Sequence, residues 1–401
     1  MRHDMDREGR DASKETRRHL DAAAAAQLLA GLPVASASIL DRGDLAAAPV
    51  IACIPACREE AWMPRCLDAL MAELRPGDGV VLVVNGSDDR TASIAAERLR
   101  AGALAFRLID LAWHEGEGSA PQARRIALDL ADAANRAAIL LSLDADTRVL
   151  PGYRAAYRAE FDRGFDLVCG RIGFDPEEAA QLPEPDPDHE RIIRDYRTLS
   201  RRLAALIAPD ADNPFPHHGN IGGANFAVRA QAYRAAGRLP LVPFGEDRAL
   251  RRAVEARGLR IRYSDGPRVE TSCRLVGRAS GGLSDELRRN RLEADPIVDE
   301  ALEPPERLAL RLRLRAAFAS DRSRSERQDA LALLDLAPLR IAALLSDPLP
   351  VRAFQAAEEE SPRLLRRRLT LSDLRRHLPA LRALVAETED ARPDSRPSAR
   401  G

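Results

Sequence analysis

The sequence predicts an α/β protein in which a mostly parallel sheet is covered by helices on both faces, followed by a helical C-terminal region. Between residues 49 and 263, short apolar runs alternate with segments of helical periodicity. Apolar runs without polar alternation are typical of strands buried on both faces. Strands that alternate with helices form parallel sheets. After about residue 304 the strand signals cease and Arg/Leu/Ala-rich helix remains, which indicates an appended helical region.

The predicted elements follow one another in a regular order. The first buried strand, 50–54, precedes a helix that begins near Pro64, since proline is favoured in the first helical turn. The sequence 76–79, Pro-Gly-Asp-Gly, ends that helix. Further strands are predicted at 80–84, 105–111, 138–143, 166–172, 222–228 and 259–263, and further helices at 91–100, 121–133, 191–208 and 246–257.

The chain is predicted to divide into four segments. Residues 1–47 are charged and then alanine-rich, which is typical of a disordered or loosely helical tail. Residues 48–285 form the α/β domain, and residues 286–387 form the helical region, with a polar break at 320–328. Residues 388–401 are expected to be a disordered tail.

Composition excludes several classes of protein. The net charge of −1 argues against a nucleic-acid partner, and no run of about 18 apolar residues predicts a transmembrane segment. The five cysteines are odd in number and form no C-x-x-C pair, so neither a zinc site nor a disulfide framework is predicted. Without a secretory signal at its start, the chain is expected to be soluble and cytoplasmic. Lys14 is the single lysine, so any phosphate would be bound by arginine or backbone N–H groups.

Polar clusters follow three of the predicted parallel strands, at 55–60, 85–89 and 144–146. Ligands of such sheets bind outside the carboxyl ends of the strands, so the clusters are expected on one rim. Asp144 and Asp146 are separated by one residue, and their hard oxygens suit Mg²⁺ or Mn²⁺. Taken alone, the same pair could instead cap a turn or the next helix.

Four further segments accompany this Asp-x-Asp motif in a fixed order: 54–60 (Ile-Pro-Ala-Cys-Arg-Glu-Glu), 83–91 (Val-Val-Asn-Gly-Ser-Asp-Asp-Arg-Thr), 222–227 (Gly-Gly-Ala-Asn-Phe-Ala) and 244–248 (Phe-Gly-Glu-Asp-Arg). Together they resemble the family 2 glycosyltransferases and their GT-A fold, over about residues 49 to 278. The resemblance implies a GT-A-like sheet and a nucleotide-sugar donor. It also implies a divalent cation, Mn²⁺ or Mg²⁺, held by Asp144 and Asp146.

The resemblance also implies roles for individual residues on the donor side. The residues implied to bind the nucleotide-sugar are Pro55, Glu59, Asn85, Asp89, Asp144 and Asn225, and in addition Arg124 or Arg125 facing the diphosphate. Asn85 departs from the aspartate more usual at its position, and Asn85-Gly86 can also be read as a plain turn. The loop before Arg124 can equally be an ordinary flexible loop with surface arginines.

Glu246 and Asp247 are the candidate catalytic residues. By resemblance Asp247 is the general base, and Glu246 beside it binds the acceptor. Two acids at a helix start also stabilise the helix dipole, which is the alternative interpretation. The family commonly has a further metal ligand, often histidine, after the strand ending near Tyr263. Here that position offers no histidine, which leaves water, phosphate or Glu270 to complete the coordination.

These observations predict a metal-dependent glycosyltransferase that acts on an acceptor hydroxyl, the acceptor being a small molecule or a glycolipid. A nucleotide-sugar-forming nucleotidyltransferase is the first alternative, although 55–59 has no glycine-rich phosphate loop. A non-catalytic nucleotide-sugar-binding protein is the second. Ala330, Leu333, Leu334 and Ala337 recur at helical spacing, so the C-terminal helices are expected to pack on the core or to form a homo-oligomer.

Overall fold

The structure is a computed structural model of the 401-residue chain, and it describes residues 15–20, 29, 32–115, 117–277, 283–319 and 322–391. The chain forms two compact units, each discontinuous in sequence. The first comprises residues up to 175 together with 221–250 and 264–272. The second comprises 176–220, 251–263 and the residues from 273 onward.

The first unit is built on a ten-stranded sheet in the order β1-β2-β5-β4-β3-β6-β9-β8-β10-β7. Its strands are β1 Glu15–Leu20, β2 Val34–Arg42, β3 Val50–Ala56, β4 Gly79–Asn85, β5 Ala105–Trp113, β6 Ile139–Ser142, β7 Thr147–Val149, β8 Leu167–Phe174, β9 Phe226–Arg229 and β10 Ile261–Thr271. The four central strands, β5, β4, β3 and β6, pair in parallel. The pairs β1·β2, β2·β5, β6·β9, β8·β9 and β10·β7 are antiparallel.

Burial explains why the central strands form. All seven residues of β3 are buried, and so are six of the seven in β4. The helices that accompany the sheet are α1 Met63–Glu73, α2 Thr91–Ala101, α3 Ala120–Ala134, α4 Tyr153–Asp162 and α7 Ala230–Ala235, and α8 Glu246–Ala256 starts in this unit. One large core joins β3 and β4 to α1, α2 and α4. The predicted α/β class is confirmed, and most predicted strands and helices lie near their predicted positions, although the strand expected from 222 starts at Phe226. The sheet is mixed: the expected parallel pairing holds for its four central strands, whereas the five other pairings given above are antiparallel.

The N-terminal segment corrects one prediction. Residues 1–47 were expected to be disordered or loosely helical, but β1 and β2 lie within them, and β2 pairs with β5 over most of its length. Local composition hid this strand because Val34–Ser38 is rich in alanine and serine, which are weak strand formers. Pairing with the otherwise open edge of β5 supplies the missing stabilisation. The alanine-rich stretch 22–26 lies outside the described residues.

The second unit is helical. Its helices are α5 Pro176–Ala179, α6 Pro187–Ile207, α9 Leu283–Leu292, α10 Pro305–Ala317, α11 Arg324–Ala332, α12 Pro338–Leu345, α13 Pro350–Glu360 and α14 Leu371–Asp390. One core is formed by α6, α10 and α14, and a second by α10, α11, α12 and α13. Arg311 is buried in α10, where it donates to Glu303 at 2.7 Å and to Glu358 at 2.6 Å. The ion pairs satisfy a charge that would otherwise be costly to bury.

The helical C-terminal region is confirmed, with corrections in its detail. The predicted polar break at 320–328 includes the start of α11, because Ser323 and Glu326 form a capping box there. Since α11 ends at Ala332, the predicted apolar stripe is not one helix face: Leu331 and Leu334 are buried, whereas Leu333 is 49% exposed. The predicted tail 388–401 begins inside α14, and residues 392–401 lie outside the described part of the chain. Over the described residues, no helix combines the length and apolar character needed to cross a bilayer.

Candidate active site

The loops after β3 and β4 are joined to each other at the carboxyl end of the parallel strands. Pro55 lies in β3 and is buried, and Glu59 in the following loop is 6% exposed. The Glu59 N–H donates to the Thr91 hydroxyl at 2.7 Å. The Asp89 carboxylate accepts from the N–H of Thr91 at 3.0 Å and of Glu60 at 3.2 Å. These contacts bring the predicted nucleotide residues Pro55, Glu59 and Asp89 to one place.

Two effects set the charge of Asp89. Burial alone would raise the pKa of its carboxyl, but hydrogen bonds from Thr91 and from the backbone of Glu60 outweigh burial and lower it. Asp89 is therefore ionised at neutral pH and fastens the two loops together. Its predicted contact with a nucleotide stays a prediction.

Asn85 ends β4, as its position in the motif requires. Its Oδ1 accepts a hydrogen bond of 2.6 Å from the indole Nε1 of Trp113, at the end of β5. The indole also lies against the next loop, because a Cβ added at Gly118 would stand 2.7 Å from it. Trp113 thus positions the Asn85 amide, and sequence reasoning had not assigned it a role.

Arg124, in the first turns of α3, is the centre of the site. Its guanidinium donates to Glu246 at 3.0 Å and to Asp144 at 2.6 Å. It also donates to the Ser142 hydroxyl and the Gly223 carbonyl, both at 2.8 Å. A Cβ at Gly223 would lie 2.4 Å from the guanidinium, so glycine is needed there. One buried cation therefore connects a predicted metal ligand to a predicted catalytic acid.

The charge of Arg124 is stabilised by these partners. Burial alone would lower its pKa, but the carboxylates of Asp144 and Glu246 more than compensate and raise it. Its side chain is only 6% exposed. With four N–H···O contacts made to protein, Arg124 positions the carboxylates around it. Arg125 lies elsewhere, paired with Asp129 at 2.9 Å. Diphosphate binding by either arginine stays a prediction.

Asp144 and Asp146 follow β6 as predicted. Asp144 uses Oδ1 for Arg124, and its side chain is 34% exposed. Asp146 Oδ1 accepts from the Thr271 hydroxyl at 3.3 Å. Their carboxylate oxygens are the type of donor that Mg²⁺ and Mn²⁺ prefer, so the residues fit a divalent cation with two protein ligands.

The described residues do not provide a complete set of ligands for such a cation. Within the described ranges, no group of three or more histidine, cysteine, aspartate or glutamate side chains could hold a metal ion. Glu270, the candidate third ligand, forms an ion pair with Arg148. Completion of the coordination by water, phosphate or Glu270 stays a prediction.

Glu246 and Asp247 occupy the first turn of α8. Glu246 is 9% exposed and is bound to Arg124. Burial, together with the neighbouring Glu246 charge, raises the pKa of Asp247, although the Arg248 N–H and the charges of Arg124 and Arg248 partly oppose this. A carboxylate with a raised pKa is a stronger base, which suits proton abstraction.

Asn225 does not join this cluster. Its side chain is fully buried, accepts from the Tyr157 hydroxyl at 2.6 Å and donates to the carbonyls of Arg171 and Pro267. A Cβ at Gly170 would lie 2.4 Å from the Asn225 amide. In this structure Asn225 connects the elements around β8, β9 and β10, so a direct contact with a sugar, implied by the resemblance, receives no support from its placement.

The fold and the positions of these residues define an α/β protein of the GT-A type, with an Asp-x-Asp motif at the end of a central strand and an acidic pair at a helix start. Residues 51–218 match the model of the family described as Glycosyl transferase family 2. No curated protein sequence matches the chain.

Among solved structures, the chain is similar to S. aureus TarS 1-349 in complex with UDP-GlcNAc, with 14% identity, a TM-score of 0.43, and coverage of 84% of this chain and 88% of that one. It is also similar to the mannosyltransferase PcManGT from Pyrobaculum calidifontis in complex with GDP-Man and Mn²⁺, with 17% identity, a TM-score of 0.42 and coverage of 87% and 90%. A third similar structure is M. tuberculosis glucosyl-3-phosphoglycerate synthase, with 16% identity, a TM-score of 0.37, and coverage of 61% of this chain and 79% of that one.

Proposed function

We propose that the chain transfers a sugar from a nucleotide-sugar to an acceptor hydroxyl with inversion, and that Asp247 is the general base. The observation that carries this proposal is the Arg124 bridge, which joins Asp144 on the donor side to Glu246, the neighbour of Asp247. The bridge supports a single active centre that binds both the leaving diphosphate and the attacking hydroxyl.

The reaction balances with the residues at hand. The acceptor oxygen attacks the anomeric carbon while the bond from that carbon to the diphosphate oxygen breaks. Asp247 takes the proton of the hydroxyl, and the nucleoside diphosphate leaves with the electron pair. Glu246 orients the acceptor beside the base. A divalent cation, Mn²⁺ or Mg²⁺, when bound by Asp144 and Asp146, would neutralise the charge of the departing diphosphate.

Replacement of Asp247 tests the proposal. Asp247→Asn retains the shape of the side chain but cannot accept the proton, so turnover should fall by roughly 10² to 10⁴ while donor affinity stays near the wild-type value. Sugar transfer, or slow donor hydrolysis where no acceptor is supplied, measures turnover. Asp329→Asn, at an exposed position of α11, is the matched control. Near-normal turnover of Asp247→Asn would remove this residue from the mechanism.

The acceptor, either a small molecule or a glycolipid hydroxyl, and self-association through the C-terminal helices stay predictions. A nucleotide-sugar-forming nucleotidyltransferase would release pyrophosphate from a nucleoside triphosphate. Assay of the purified chain with triphosphates and sugar phosphates therefore separates that alternative from sugar transfer. Turnover with nucleotide-sugars separates both from a protein that only binds them.

A further inference from the structure

A cavity of about 510 Å³ lies in the first unit next to the end of β4. Gly86 and Ser87, which directly follow Asn85, contribute to its lining, and so does Trp113, the hydrogen-bond donor to Asn85. The rest of its wall comes from β1, β2 and β5, including Ser38 and Asp110. The cavity therefore adjoins the proposed nucleotide position and has a size suited to a small-molecule group.

Asp110 is the unusual residue of this cavity. In β5 the residues Phe106 and Leu108 are both buried in the main core, and alternation places Asp110 on the same face. Its neighbours in the register are Val84 on β4 and Ser38 on β2. Asp110 is half-buried and the next residue on this face, Ala112, is exposed, so the carboxylate stands where the face passes from the core to the surface.

No described residue forms a hydrogen bond or ion pair with the Asp110 side chain, although it is partly buried. Burial without compensation raises the pKa of its carboxyl, which means that the charge is held at a cost to stability. Partly buried carboxylates are normally paired, and those left unpaired in a cavity are typical of binding sites. No contact among the described residues accounts for Asp110, so a ligand that supplies N–H donors is a chemically suitable partner.

We propose that Asp110 reads the base of the nucleotide-sugar and that this base is guanine. An ionised carboxylate only accepts hydrogen bonds. Guanine presents two adjacent N–H donors, N1–H and the 2-amino group, which match the two carboxylate oxygens. Uracil has a single N–H between two carbonyl oxygens. Adenine and cytosine have a ring nitrogen acceptor beside the amino group. Each of these three bases would therefore place a hydrogen-bond acceptor next to the carboxylate. This inference rests on the proposed function and specifies its donor.

Two diphosphates that differ in one group provide the test. GDP and inosine diphosphate share N1–H, but inosine diphosphate lacks the 2-amino group. Binding of GDP, inosine diphosphate and UDP to the full chain is measured by calorimetry with Mg²⁺. Loss of one charge-assisted hydrogen bond should weaken inosine diphosphate relative to GDP roughly ten- to hundredfold. UDP should bind more weakly than both.

In Asp110→Asn the ratio of the affinities for GDP and inosine diphosphate should fall to near one. The melting temperature without nucleotide should not fall, because the substitution removes an unpaired charge. Asp162→Asn, at an exposed position of α4, should bind GDP as the wild type does. An equal affinity of the wild type for GDP and inosine diphosphate, tighter binding of UDP, or a preference unchanged in Asp110→Asn would overturn the guanine assignment. Tighter binding of UDP than of GDP, with a dependence on Mg²⁺, would do so while leaving the proposed function intact, whereas failure of all three diphosphates to bind would overturn both.

Discussion

Removal of the Arg124 guanidinium should destabilise the first unit and disable the site together. Arg124→Met keeps much of the side-chain length but deletes four hydrogen bonds and leaves two carboxylates without their counter-ion. Breaking a buried ion pair by removing one partner costs about 3–5 kcal/mol. The side chain of Glu246 is 12% exposed and its ion pair contributes in full, whereas the side chain of Asp144 is 34% exposed and its ion pair is partly screened by water. We therefore expect the lower end, about 3 kcal/mol.

A loss of this size is measurable as a melting temperature. At about 2–4 °C per kcal/mol, Arg124→Met should melt about 6–12 °C below the wild type. Arg124→Lys, which keeps a charge but not the planar fork, should fall between the two. Arg158→Met is the matched control, because its pair with Asp162 is exposed on α4 and contributes little. If Arg124→Met melted within about 1 °C of the wild type, the bridge would not be a stabilising element of the site.

Three other changes probe the charges and the second unit. Burial raises the pKa of Asp247, so its ionised carboxylate lowers the stability of the folded protein. Asp247→Asn should therefore be as stable as the wild type in acid and more stable once the pH rises through that raised pKa. Melting curves from pH 4 to 8 measure the difference. Asp144→Asn and Asp146→Asn should leave Mn²⁺ without effect on nucleoside diphosphate affinity by calorimetry; a Mn²⁺ dependence equal to that of the wild type would contradict the metal site. Arg311→Met should lower the free energy of unfolding, measured in urea, by about 3 kcal/mol, since Glu303 loses its bidentate partner and Glu358 keeps only Arg252; a loss below about 1 kcal/mol would show that the network is not stabilising.

Local patterns in the sequence were enough to place the central elements and the rim. Val50–Ala56 and Gly79–Asn85 are apolar runs with a breaker between them, so their burial as strands follows from composition alone. Asp144 and Asp146 follow the next parallel strand, and the carboxyl ends of parallel strands share one edge. The side of the sheet that carries the site was therefore predictable.

The contacts within the site were decided by the tertiary structure. Arg124 and Glu246 are 122 residues apart, and nothing local to either segment indicates that one guanidinium binds both Glu246 and Asp144. Asp110 likewise reads as an ordinary polar residue of a strand until the register places it beside Val84 and Ser38. Strand and helix periodicity is a property of neighbours along the chain. The partner of a side chain depends instead on how distant segments pack, and the charged contacts of this site join such distant segments.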